Sequence, residues 1–181
     1  LGACQVVYFS PEDLDLVRGD PTTRRDFLDR LLILRSPRLA GIISDYERVV
    51  KQRNTLLKTR TSQSALIPWN EQLINLGAVF TAERISLCES LNPWVSENYA
   101  NLNETKPASI SYKSSTNELS NDVSQNKELL TRRLHEVQYQ EVERGVTLIG
   151  PHRDDVHLQL GGFPAKGYAS HGESWSIAIS L

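Results

Sequence analysis

Ser170, His171, Gly172, Glu173 and Ser174 lead directly into the apolar residues Ile177, Ala178, Ile179 and Leu181. Two hydroxyls and a glycine at the start of an apolar helix offer free N–H groups at the positive end of a dipole, which is a seat for a phosphate. The same residues also match the capping box S-x-x-E, in which Ser170 and Glu173 satisfy each other's backbone donors. A second candidate is the turn His152, Arg153, Asp154, Asp155 after the apolar run 146–150. It could hold a metal through His152 and the carboxylates, meet a phosphate through Arg153, or form an ion pair that ties two strands. A third is Glu12, Asp13 and Asp15, followed by Arg24 and Arg25, which reads either as an acidic functional turn or as capping and surface charge.

These groups need elements to position them. Residues 3–9, "ACQVVYF", read as a short buried strand. Asp20 before Pro21 starts a helix that ends at Ser36-Pro37. A second helix carries Leu39, Ile43, Tyr46, Val49, Arg53 and Leu57 on one stripe. The third opens at Pro68, carries Leu73, Gly77, Phe80, Arg84 and Cys88, and is kinked or restarted by Pro93. These two helices should fold back on each other as an antiparallel arm. Further on, "ASISYKSS" alternates as a strand and Val123 to Val137 recur at helical spacing, with Gly145 as a C-terminal cap. "VTLIG" reads as a fully apolar strand and "VHLQLGG" as an alternating one. The pattern predicts an α/β body with a large helical insertion, divided as 1–20, 21–145 and 146–181. Because the chain stops inside the helix that follows Ser170, it reads as a central fragment, incomplete at both ends.

No apolar run reaches the roughly 18 residues of a membrane span. Cys4 and Cys88 lack metal-site spacing and read as buried thiols, so no structural metal is implied. A cytoplasmic location is expected. From Arg18 to Arg60 there are eleven basic and five acidic residues, while the remainder carries -8. That segregation is compatible with a phosphate-backbone surface at Arg24, Arg25, Arg38 and Lys51, or with a solvated helix face.

"FSPEDLDLVRGDPTTRRDFLD", "YERVVKQRNTLLK" and "ERGVTLIGPHRDDVHLQLGGFPAKGYASHGESWSIAISL" occur in this order and together resemble the RecF family, particularly its actinobacterial forms. That family comprises DNA replication and repair ATPases related to SMC and Rad50. The resemblance implies part of an ABC-type ATPase head interrupted by the helical arm, with "SHGES" as the signature motif. It further implies a homodimer around ATP and Mg2+, in which Ser170 and the Gly172 N–H meet the γ-phosphate bound by the partner and Glu173 orients them. Arg153, Asp154 and Asp155 would form a turn of the ATP lobe, and Glu12 would take the place of the glutamine loop. The phosphate loop and Walker B strand would lie outside residues 1–181, so the chain alone should not hydrolyse ATP. Implied partners are single-stranded, gapped or junction DNA and RecR- and RecO-type proteins, with roles in recombinase loading and SOS induction. His171 and Trp175 depart from the glutamine and arginine common in the family and receive no role. The competing class is a non-enzymatic docking module built on the Leu39–Leu102 arm.

Overall fold

The computed structural model describes residues 10–60, 62–102, 106–116 and 118–181. The expected strand over 3–9, and Cys4 with it, lie outside the described residues. The molecule is mostly helical, with one small antiparallel sheet.

A 3-10 turn, Pro11–Leu14, runs into the short helix α1, Asp15–Arg18, and then α2, Pro21–Arg35. Pro21 sits at the first helical position as expected, but the Asp20 side chain makes no capping bond. Leu28 and Leu32 bury one face of α2. In α3, Leu39–Lys58, the buried line is Leu39, Ile43, Tyr46, Val49, Arg53 and Leu57, the stripe read from the spacing.

Helix α4 departs from expectation. It spans Gln63–Leu102, 40 residues, with Pro68 and Pro93 inside it, and is about 60 Å long. Each proline removes the hydrogen bond to the carbonyl four residues back and crowds that carbonyl with its ring, and packing along the helix outweighs the cost. Burial in its middle is nearly continuous from Ala78 to Cys88, because α3, the helix Val123–Arg144, the strand Ala108–Lys113 and the helix His171–Ser180 surround it rather than flanking one stripe. The Cys88 thiol is buried and pushed up to about 12 by that burial.

Strand β1, Ala108–Lys113, is followed by α5, Val123–Arg144. Asp122 caps α5 by accepting from the Ser124 and Gln125 N–H groups, and Gly145 ends it at φ 67. Strand β2, Asp155–Leu160, pairs antiparallel with β1 and with the two-residue β3, Phe163–Pro164, in the order β1-β2-β3. The register sets Ile110 opposite Leu158 and Ala108 opposite Leu160, all on the buried face. A short turn, α6, Ala165–Tyr168, leads to α7, His171–Ser180.

The apolar run "VTLIG" is not a strand. Its backbone groups are claimed by side chains instead: Thr147 N donates to Asn54 Oδ1 (2.7 Å) and Leu148 N to Glu141 Oε1 (2.7 Å). With two successive N–H groups so engaged, the alternation that a strand ladder needs is broken. Among the described residues no helix is long and apolar enough to cross a membrane.

Candidate functional site

The start of α7 holds a closed capping box. Ser170 N donates to Glu173 Oε2 (2.7 Å), and Glu173 N donates to Ser170 Oγ (3.2 Å). The Ser170 hydroxyl also donates to the Glu173 carboxylate, so the cap uses it in both directions. The N–H groups of His171 and Gly172 belong to the first turn and have no intrahelical carbonyl to reach. Ser170, His171 and Gly172 are exposed, and a Cβ added at Gly172 would meet nothing within 4 Å. An incoming group can therefore approach the turn closely.

Two cations brace that turn. Lys106 Nζ donates to Glu173 Oε1 (2.8 Å) and lies 5.0 Å from the centre of the Tyr168 ring. The Lys106 hydrogen bond, with the Ser170 backbone, holds the Glu173 carboxyl down to about 2. From the other side Arg18 Nε donates to Ser174 Oγ (3.1 Å), which itself donates to the Ser170 carbonyl (2.8 Å). Trp175 Nε1 donates to His171 Nε2 (2.9 Å), while Arg18 Nη1 stands 3.3 Å from His171 Nδ1. A neutral imidazole has one acceptor nitrogen. We assign it to the shorter Trp175 bond, which leaves Nδ1 protonated and the Arg18 contact no hydrogen bond. His171 and Trp175 thus form a local pair across one turn.

Glu12 is exposed in the 3-10 turn, its carboxyl held below the usual range by the Ser10 side chain. That turn and α1 both pack against α7, so the first described segment lies beside the Ser170 turn.

The 150–155 turn proves to be a structural joint. His152 Nδ1 accepts from the Tyr46 hydroxyl (2.8 Å), and its Nε2 donates to the Thr147 carbonyl (3.2 Å). Asp154 is buried and accepts from Tyr112 Oη (2.7 Å) and from Ser115 N and Oγ (2.6 Å each). Burial pushes its carboxyl above the ordinary value, against those donors. Arg153 Nε donates to the Thr147 carbonyl (2.9 Å). Asp155 binds Arg24 through both oxygens (2.8 and 3.0 Å). The metal alternative fails because every donor is already engaged. Among the described residues no group of three His, Cys, Asp or Glu could hold an ion. The ion-pair alternative is realised, but by Arg24 rather than Arg153.

This also corrects the basic surface. Arg24 is buried and committed to Asp155, so it is not available to a DNA backbone. Arg25 donates to the Asp154 carbonyl and to Thr22 Oγ1 (2.9 Å each). Arg38, its side chain 79% exposed, has only Glu83 at 3.8 Å, and Lys51 is exposed on the outer face of α3.

His152 makes the joint sensitive to pH. Burial lowers it from 6.5 to about 4. Between those values the unfolded chain binds the extra proton, so stability is complete above about 6.5 and falls as pH drops toward 4. The expected loss over that window is about 3 kcal/mol. Urea unfolding at pH 7 and 4.5 should show it in the wild type and not in His152→Asn, whose amide oxygen can replace the Nδ1 acceptor without titrating. An equal pH dependence in the variant would refute this.

Sequence reading missed two buried arginine centres. Arg53 donates to Asn70 Oδ1 (2.8 Å), Thr147 Oγ1 (2.9 Å) and Glu141 Oε2 (2.6 Å). Arg84 forks onto Asp29 (2.8 and 2.7 Å), donates to the Pro151 carbonyl (2.7 Å) and stacks 4.1 Å from the Phe80 ring centre. The signal was present: both arginines fall on the apolar stripes of their helices, where a cation needs a buried partner.

No family model matches the chain. It is 47% identical, over 192 aligned residues, to the DNA replication and repair protein RecF of Streptomyces avermitilis, covering 100% of this chain and 52% of that protein. The chain belongs to the RecF family. It spans about half the length of the curated RecF it matches. A solved structure of the recombination mediator protein RecF-ATPrS in the RecFOR pathway superimposes with TM-score 0.89 at 25% identity, covering 95% of this chain and 47% of that one. The corresponding RecF-ATP structure gives TM-score 0.89 at 24% identity, with the same coverage. The helical body with its small sheet is thus the RecF fold over this stretch.

Proposed function

We propose that this RecF-family chain is the central part of an ABC-type ATPase head and supplies its signature turn, from Ser170 to Glu173, to an ATP molecule held by a second copy. The observation that carries the reading is the closed capping box with an open Gly172, whose exposed first turn leaves the His171 and Gly172 N–H groups without an intrahelical acceptor. These are the donors that a γ-phosphate can use. ATP is then an interface ligand: it stabilises the dimer by mass action, and hydrolysis loosens it. Mg2+ would accompany the nucleotide, with ligands supplied outside these residues, and Glu12 would take the place of the glutamine loop.

The exposed cations Arg38 and Lys51, together with the half-buried Arg25, would contact a DNA backbone without reading its sequence. The cytoplasmic role is replication and recombinational repair on single-stranded or gapped DNA, with RecR- and RecO-type partners in recombinase loading and SOS induction.

The test is Ser170→Arg in a RecF-length protein carrying this sequence. A bulky cation in the turn should weaken ATP-dependent dimerisation, measured by sedimentation, by at least about tenfold. Ser170→Asp serves as the control for folding, because aspartate caps as well as serine. It should keep the thermal midpoint yet also weaken ATP-driven assembly, by setting a second anion against the phosphate. Dimerisation that survives both substitutions would sink the assignment.

A further inference from the structure

We propose that Lys106 is a positioning residue for the signature turn, neutralising Glu173 so that the turn can close its cap and still receive a phosphate. The inference rests on the phosphate-seat reading of Ser170 and Gly172.

Closing the cap creates a conflict. Glu173 must be present and ionised to accept from Ser170 N, yet an ionised carboxylate in the first turn opposes an incoming polyphosphate. The structure divides the work between its two oxygens: Oε2 takes the Ser170 N–H and Oε1 takes the Lys106 ammonium. Lys106 is 67 residues away in sequence, in the connection between α4 and β1. Its placement is fixed by more than the ion pair. The ammonium rests on the Tyr168 ring, the stem passes beside Gly161, and the next residue, Pro107, accepts from Gly161 N (2.8 Å). The Lys106 side chain is 35% exposed and that of Glu173 15%. Among the described residues the other charged or titratable groups bonded at the turn are Arg18 and His171, which meet Ser174 and Trp175 and not Glu173. Among the described residues it is therefore Lys106 that balances the carboxylate. Because its ammonium is spent on Glu173 and Tyr168, it acts through Glu173 and not on the nucleotide itself.

The experiment uses the RecF-length protein and ATP-dependent dimerisation, with ADP as the blank. Lys106→Met should weaken ATP-driven dimerisation roughly two- to fivefold, the scale of charge effects at a helix terminus. Lys106→Arg should retain it. Adding Glu173→Gln to Lys106→Met should recover most of the loss, since the amide oxygen still accepts from Ser170 N while the opposing charge is gone. That rescue separates the proposal from direct phosphate contact, in which the second substitution would recover nothing. No loss in Lys106→Met, no rescue in the double variant, or a Lys106→Met protein that fails to fold would each overturn the proposal. If instead Ser170→Arg itself leaves dimerisation intact, the phosphate-seat reading fails at its root; a Ser170→Arg loss beside a silent Lys106→Met removes only the role of Lys106.

Discussion

Glu141→Ala is expected to destabilise the chain by about 3–5 kcal/mol, the cost of stranding one member of a buried ion pair. Both partners are essentially inaccessible, with Arg53 at 1% and Glu141 at 0% side-chain exposure. The guanidinium keeps its neutral acceptors, Asn70 and Thr147, but loses its only charged one, and the Leu148 N–H loses its acceptor as well. In a domain of this size the thermal midpoint should fall by roughly 10 °C. The double variant Arg53→Met/Glu141→Leu separates charge from packing. A well-packed apolar replacement of both partners is expected to recover much of the loss, because the pair's desolvation cost disappears with it. A single variant that melts within a degree of the wild type would show that the pair does not anchor the 146–150 segment.

Gly150→Ala carries the second large effect, about 2–4 kcal/mol, combining backbone strain with a lost buried hydrogen bond. Gly150 stands at φ 109, a region closed to side-chain-bearing residues, and a Cβ there would collide with the Tyr46 hydroxyl. That hydroxyl is the donor to His152 Nδ1, so the substitution also frees the imidazole. The denaturation midpoint should fall. Gly172→Ala is the contrast, since its Cβ would enter open space. It should leave the midpoint nearly unchanged, because glycine there serves access and not conformation. Equal destabilisation by both substitutions would contradict this distinction.

Helical periodicity was the legible part of this chain. The stripe from Leu39 to Leu57 reads directly as the buried face of α3, and Gly145 reads as the cap it proves to be. The Ser170–Glu173 box is legible because its partners are three residues apart, so the local sequence contains the whole interaction. What failed to read did so for one physical reason: the deciding partner is remote. "VTLIG" has strand composition, yet side chains about 90 residues back claim its backbone, as Thr147 N shows with Asn54. Arg24 looks like a surface cation until Asp155 arrives from 131 residues away. Pro68 and Pro93 look like helix boundaries until packing along α4 overrides them. Lys106 has no local signal at all, since both Glu173 and Tyr168 reach it only through the fold.

The 147–155 joint also has a place in time. It draws on Arg24, Tyr46, Arg53, Arg84, Tyr112 and Glu141, so it cannot assemble until α2, α3, α4, α5 and β1 have already met. Contacts that close such long loops form late, after the local helices have condensed. Substitutions in the joint should consequently leave the folding rate almost untouched and appear as faster unfolding. The segment that leads into the Ser170 turn is thereby the fold's kinetic latch, the last part to engage and the first to release.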